Sequence, residues 1–226
     1  PGSYYGSDQA ISFYLNGQNE LYIQGGTNGN VASSDMDHFD NSVILHEYAH
    51  FIEDVFGRPN SPGGAHDGDS IIDPRLAWGE GWADYFQAAV TGIPIYRDTY
   101  GTVDCSALCA GAFFNVSIDP AGAADNDQPT ESSQAEGNFR EFSITRLLWD
   151  VSRPGGASHF TEIWRLFVEP KSGMRAAPDP FKFIGSIHAL QEKLPGSKNW
   201  NPLLIAEEQN RGVASYANPL SLSSSC

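Results

Sequence analysis

Positive charge is scarce in this 226-residue chain, where 13 Lys and Arg face 28 Asp and Glu for a formal net charge of -15. A nucleic-acid partner needs clustered Lys and Arg to neutralise phosphates, so the balance argues against that class. Long apolar runs are missing too. None approaches the roughly 20 residues that span a bilayer, and no signal-peptide pattern opens the chain, so membrane insertion is not expected. Cysteine is limited to three residues. Cys105 and Cys109 could close a small loop in an oxidising compartment or pack as reduced thiols, Cys226 is terminal, and no further ligands near them complete a zinc site. There is no internal repeat, and the one low-complexity tract is the Ser-rich tail. An acidic, Lys-poor composition suits a soluble secreted or extracytoplasmic protein, expected to be a monomer.

What is present divides into two kinds of pattern. Residues 9 to 25 alternate like strands, with Ala10 to Leu15 and Glu20 to Gln24 flanking the turn signal Asn16-Gly17-Gln18-Asn19. A polar loop then leads to Asn41-Ser42-Val43-Ile44-Leu45-His46-Glu47-Tyr48-Ala49-His50-Phe51-Ile52-Glu53, which reads as a helix capped by Asp40 or Asn41 and stopped by Gly57. Arg58 to Asp73 has no periodicity and forms a long loop. Asp73-Pro74 starts a second helix that runs to Gly92, with Gly79 and Gly81 inside it at a cost of roughly 1 kcal/mol each relative to Ala. Some neighbour must approach its backbone closely there, and the first helix is a sufficient candidate. Residues 96 to 130 look irregular. Gln134 to Ser152 is an amphipathic helix, Ser158 caps another, and Asp179-Pro180 and Asn201-Pro202 repeat the cap-then-proline signature. The reading is an α+β chain with one catalytic domain. Residues 1–95 form an N-terminal lobe with a small sheet, the His46 helix and a second helix, and residues 96–226 form a mainly helical C-terminal lobe.

On a helix, His46 and His50 share a face and can hold one metal ion between them. Catalytic zinc takes three protein ligands and leaves a fourth position to water, so one ligand is still needed. His38, His66, Glu80 and the loop aspartates are the candidates. Glu80 is preferred, because it lies early in a helix that the long loop can fold back against the first. Asp84, one turn later, can accept the free ring N–H of a ligand histidine and fix its tautomer. Glu47 would then sit beside the open position, able to take a proton from a metal-bound water and pass it to a leaving amine. The expected chemistry is amide hydrolysis. Asp67, Asp69 and Asp73, and separately Asp125 and Asp127, could hold calcium, although solvated turn aspartates are commoner.

His46-Glu47-Tyr48-Ala49-His50 followed by Gly79-Glu80-Gly81-Trp82-Ala83-Asp84-Tyr85-Phe86 resembles the gluzincin zinc metallopeptidases, and most of all the fungalysin branch related to thermolysin. The resemblance implies a zincin-like fold, zinc on His46, His50 and Glu80, Glu47 as base and Asp84 as partner of His46. It also matches Leu21, Tyr22, Ile23 and Gln24 to the edge strand that pairs with an extended substrate, and Leu148-Trp149-Asp150 to the helix that follows the active site. The chain departs from the pattern at Glu136 to Glu141, where thermolysin-like enzymes supply a histidine to the tetrahedral intermediate. Arg140 could steady the oxyanion instead, or serve in a structural ion pair. His159, His188, Tyr96 and Tyr100 are weaker alternatives. Two other readings stay open: a gluzincin aminopeptidase, despite the lack of a Gly-x-Met-Glu-Asn stretch, and a zinc-stabilised binding module without catalysis.

Overall fold

The computed structural model describes residues 11–26, 30, 34–57, 59, 61–68, 70–100, 112–118, 137–153, 157–168 and 206. They fall into two compact units that interleave in sequence, one from residues 1–52 and 83–128, the other from residues 53–82 and 129–226.

In the first unit, β1 (Phe13–Leu15) and β2 (Glu20–Tyr22) pair antiparallel, Phe13 opposite Tyr22 and Leu15 opposite Glu20. The turn works because Gly17 and Asn19 adopt φ of 78° and 56°, a region that glycine enters freely and asparagine tolerates. The strands are shorter than the alternation suggests. Past Tyr22 the backbone leaves the ladder: Gln24 donates its N–H to Ser12 Oγ at 2.9 Å and its carbonyl accepts from His38 N–H at 3.2 Å.

A single 3-10 turn at Asp37–Phe39 precedes α1 (Asn41–Phe56). Asp40 stands just before α1 and its carbonyl accepts from Ile44 N–H at 3.0 Å, yet its carboxylate does not cap the helix. It accepts instead from the N–H (2.8 Å) and hydroxyl (2.9 and 3.0 Å) of Thr99. Thr99 ends β3 (Ile95–Thr99), which pairs antiparallel with β4 (Ala112–Ser117) and breaks register between Asp98 and Thr99. These two strands correct the irregular reading of 96 to 130. Their alternation is masked because Tyr96, Arg97 and Asp98 put ring and charge on both faces.

In the second unit, α2 (Pro74–Thr91, continuing into the first unit past Trp82) starts as Asp73-Pro74 predicts. Asp73 Oδ1 accepts from Arg75 N–H at 2.9 Å, and the Asp73 carbonyl accepts from Ala77 N–H. The Arg75 guanidinium grips the same carboxylate and holds its pKa below the usual value. At the far end of α2, Gly92 takes φ of 71° and returns its N–H to Ala88 O at 2.8 Å.

α3 is Glu141–Ser152, not Gln134 to Ser152. Gly137 has φ of 155° and Arg140 is extended at φ -125°, ψ 123°, so the helix cannot begin before Glu141. Phe139, read as part of its apolar face, is exposed. Phe142, Ile144, Leu147, Leu148 and Val151 do form the buried stripe. The loop before α2 serves α3, since Gly68 O accepts one of the helix's otherwise unpaired first N–H groups, that of Phe142, at 3.1 Å. Gly68 is obligatory there: φ is 80° and a Cβ would lie 2.3 Å from the Phe142 ring.

The neighbour that demands Gly81 is also α3. A Cβ at Gly81 would lie 2.7 Å from Ile144 Cβ and 2.8 Å from Glu141 O, whereas one at Gly79 would meet Glu53 Oε2 of α1 at 3.3 Å. The close approach expected from the first helix therefore belongs mainly to the third. α4 (Ala157–Val168) packs on α3 through buried Ile163, and His159 Nδ1–H donates to Val151 O at 2.8 Å. No helix among the described residues is long and apolar enough to cross a membrane. Cys105, Cys109, Cys226, His188, Asp69, Asp125, Asp127 and the segments at Asp179-Pro180 and Asn201-Pro202 lie outside the described residues.

Candidate metal centre

The four-residue spacing on α1 turns His46 and His50 toward each other, with ring centroids 4.8 Å apart and Nε2 atoms 3.1 Å apart. Two nitrogens of a tetrahedral zinc shell, at Zn–N of about 2.0–2.1 Å, are separated by roughly 3.3 Å. The same distance also fits a hydrogen bond between the two rings. His46 Nδ1–H donates to Asp84 Oδ1 at 2.9 Å, and Asp84 is 3% exposed. That bond puts the proton on Nδ1 and leaves Nε2 as a lone pair directed at His50.

Glu80 stands one helical turn before Asp84 on α2. His46, His50 and Glu80 offer ligand atoms that all lie within 4.8 Å of one another. Two imidazoles and one carboxylate are the donor set of an open zinc site. Glu47 is buried at 8% exposure beside His46 on α1.

Comparison with protein-family models, with curated proteins and with solved structures finds no match.

Tyr96 on β3 packs its ring edge-on against His46, centroids 5.5 Å apart. Burial, and then the charges of Asp84, Asp98 and Glu47, push its hydroxyl well above the ordinary phenol value, so it stays a proton donor at neutral pH. Tyr96 ranked as a weak alternative in the sequence, because nothing local ties a strand residue 50 positions downstream to His46. Arg140 is wholly buried just before α3, and its N–H donates to Gly137 O at 3.2 Å.

His66, a rival for the third ligand, lies against the preferred one, with Nε2 3.3 Å from Glu80 Oε2. Its Nδ1–H donates to Gly64 O at 3.1 Å. His38 is turned elsewhere, its Nδ1 3.2 Å from Gln24 O. Of the edge-strand residues, Leu21 and Tyr22 lie in β2, whose second edge carries no strand among the described residues. Ile23 and Gln24 lie past its end, and both backbone groups of Gln24 are already engaged. Asp67 and Asp73, read as calcium candidates, have local partners: Ser70 N–H at 2.7 Å and Arg75.

A second acidic group has no counterpart in the sequence reading. Asp35, Asp37 and Asp98 also offer oxygens within 4.8 Å of one another. Burial, then contact with Asp37 and the charge of Asp98, raises Asp35 to about 8. Burial, then Asp37 and Asp40, raises Asp98 to about 7. Asp40 is also raised, by burial first, against the opposing hydrogen bonds from Thr99.

Proposed function

We propose that the protein is a zinc-dependent endopeptidase of gluzincin type, acting outside the cytoplasm on peptide or protein substrates. The reading rests on one observation: His46, His50 and Glu80 converge, and the Nδ1 of His46 is held by buried Asp84. A zinc ion bound there would polarise the scissile carbonyl and lower the pKa of its water to about 7. Asp84 keeps His46 in the tautomer that presents Nε2. Glu47, buried next to a ligand, accepts the proton of the attacking water and returns it to the leaving amine. Tyr96, still protonated and packed on His46, is the group we assign to steady the developing oxyanion, in preference to Arg140. An oxyanion donor must meet substrate, and the Arg140 side chain is fully enclosed. Leu21 and Tyr22 of β2 are the residues that would pair with an extended peptide.

The experiment is metal analysis of the purified chain combined with Glu47→Gln assayed on an N-terminally blocked quenched peptide. Stoichiometric zinc in both proteins, with proteolysis lost only in the variant, is the expected result. Unchanged proteolysis in Glu47→Gln, or a chain that retains no zinc, would overturn the proposal. Equal zinc with no turnover in either protein would favour the binding-module reading, and cleavage confined to unblocked peptides would favour an aminopeptidase.

A further inference from the structure

We propose that Asp35, Asp37 and Asp98 form a binding site for one calcium ion, on residues separate from the His46, His50 and Glu80 group. Three stretches of chain meet there. Asp35 forms an isolated bridge with Tyr100, Asp37 opens the 3-10 turn, and Asp98 sits on β3 where the register breaks. Breaks of this kind re-aim a side chain out of the regular ladder.

The decisive feature is what these carboxylates lack. One oxygen of each, Oδ1 in all three cases, is enclosed and receives no hydrogen bond. Asp37 is 3% exposed, and its other oxygen takes the hydroxyl of Ser12. Among the described residues no Lys, Arg or His forms an ion pair with any of the three. Nearby, Gln24 Nε2 donates to Asp35 O at 3.3 Å, and Gln24 Oε1 is likewise enclosed without a donor. Three carboxylates brought together with no basic side chain among the described residues paired to them, and with one enclosed acceptor on each, are a costly arrangement for a protein alone, and a bound cation resolves it.

The donor set selects the ion. Every group offered is oxygen, which suits a hard cation and not zinc. Oxygens within 4.8 Å of one another fit inside a calcium shell, whose bond lengths of 2.3–2.6 Å give a diameter of about 4.6–5.2 Å, and calcium tolerates the irregular geometry of ligands drawn from three separate stretches, where magnesium demands a near-ideal octahedron. The site would fasten the segment before α1 to β3, both of which belong to the first unit. It stands independently of the zinc reading.

The test uses the full chain, zinc-loaded and freed of calcium, in equilibrium dialysis against radioactive calcium with magnesium in excess, alongside thermal melts in calcium, magnesium or sodium chloride at matched ionic strength. One calcium per chain and a melting temperature that rises with calcium alone are expected. Asp98→Asn should weaken calcium binding roughly tenfold or more while zinc content and circular dichroism stay as in the wild type, and Asp67→Asn should leave calcium binding unchanged. Asp35→Asn serves as a second variant if Asp98→Asn does not fold. No calcium retained by the wild type at millimolar concentration, or equal retention by the folded Asp98 or Asp35 variant, overturns the proposal.

Discussion

Gly81→Ala should destabilise the protein, whereas Gly79→Ala, two residues earlier on the same helix, should not. An alanine inside a helix is favoured over glycine by roughly 1 kcal/mol, so propensity alone predicts stabilisation at both positions. Space separates them. A methyl at Gly81 would stand 2.7 Å from Ile144 Cβ, 2.8 Å from Glu141 O and 2.9 Å from Ile144 Cγ2. Carbon contacts are comfortable at about 3.5–4.0 Å, so α2 and α3 would have to part by most of an ångström. Two of the three obstacles are a backbone carbonyl and a Cβ, which no rotamer change can move. Overpacking of this kind costs about 1–3 kcal/mol. Parting the helices also strains the hydrogen bond from Thr145 Oγ1 to Gly81 O, 3.3 Å long and worth about 1 kcal/mol.

After the propensity gain, the net loss for Gly81→Ala is about 1–3 kcal/mol, or several degrees in melting temperature at this chain length. At Gly79 the nearest atom is the carboxylate end of Glu53 at 3.3 Å, which can shift by the few tenths required. That variant should gain up to about 1 kcal/mol. Urea unfolding followed by circular dichroism, with m checked for constancy, reads both numbers. A Gly81→Ala protein as stable as the wild type would refute the α2–α3 packing described above. Because Glu80 precedes Gly81, the same variant should also hold zinc less tightly, a readout given by chelator competition.

Three further outcomes follow from the hydrogen bonds and charges around His46 and around the Asp35, Asp37 and Asp98 group. Asp84→Ala should weaken zinc binding about 10–100-fold by freeing the ring of His46, with Asp84→Asn less affected because an amide oxygen can still accept from Nδ1, and chelator competition separates the two. Asp40→Ala removes the acceptor for the Thr99 N–H and hydroxyl and should cost about 1–3 kcal/mol in urea unfolding at neutral pH. In calcium-free buffer, carboxyls whose folded pKa is raised stabilise fully below the unfolded value of 3.8 and lose that contribution as pH climbs through about 7 for Asp98 and about 8 for Asp35, with Asp37 and Asp40 as the facing charges. Asp98→Asn should therefore be more stable than the wild type at pH 8 without calcium and lose this advantage near pH 4, and melts across that range check the sign.

Local chemistry made part of the molecule legible before any coordinates. The His46 to His50 spacing, the Asp73-Pro74 start and Gly92 end of α2, and the Asn16-Gly17 turn all act within a few residues of themselves, where helical period, capping and positive φ are properties of the stretch alone. Asp40 shows the limit of that reasoning. Its sequence context says helix cap, but Thr99, 59 residues away, supplies two donors to the same carboxylate and takes it. Gly79 and Gly81 announced a close neighbour, read from the sequence as the first helix, and α3 proved to be the one pressing on Gly81. The sequence alone determined that two imidazoles share a helical face and that a carboxylate follows the first. Only the tertiary structure decided that Asp84 holds His46, that Tyr96 packs on it and that three aspartates from separate stretches meet. Contacts between distant positions depend on how strands and helices are stacked, and residue spacing does not record that stacking.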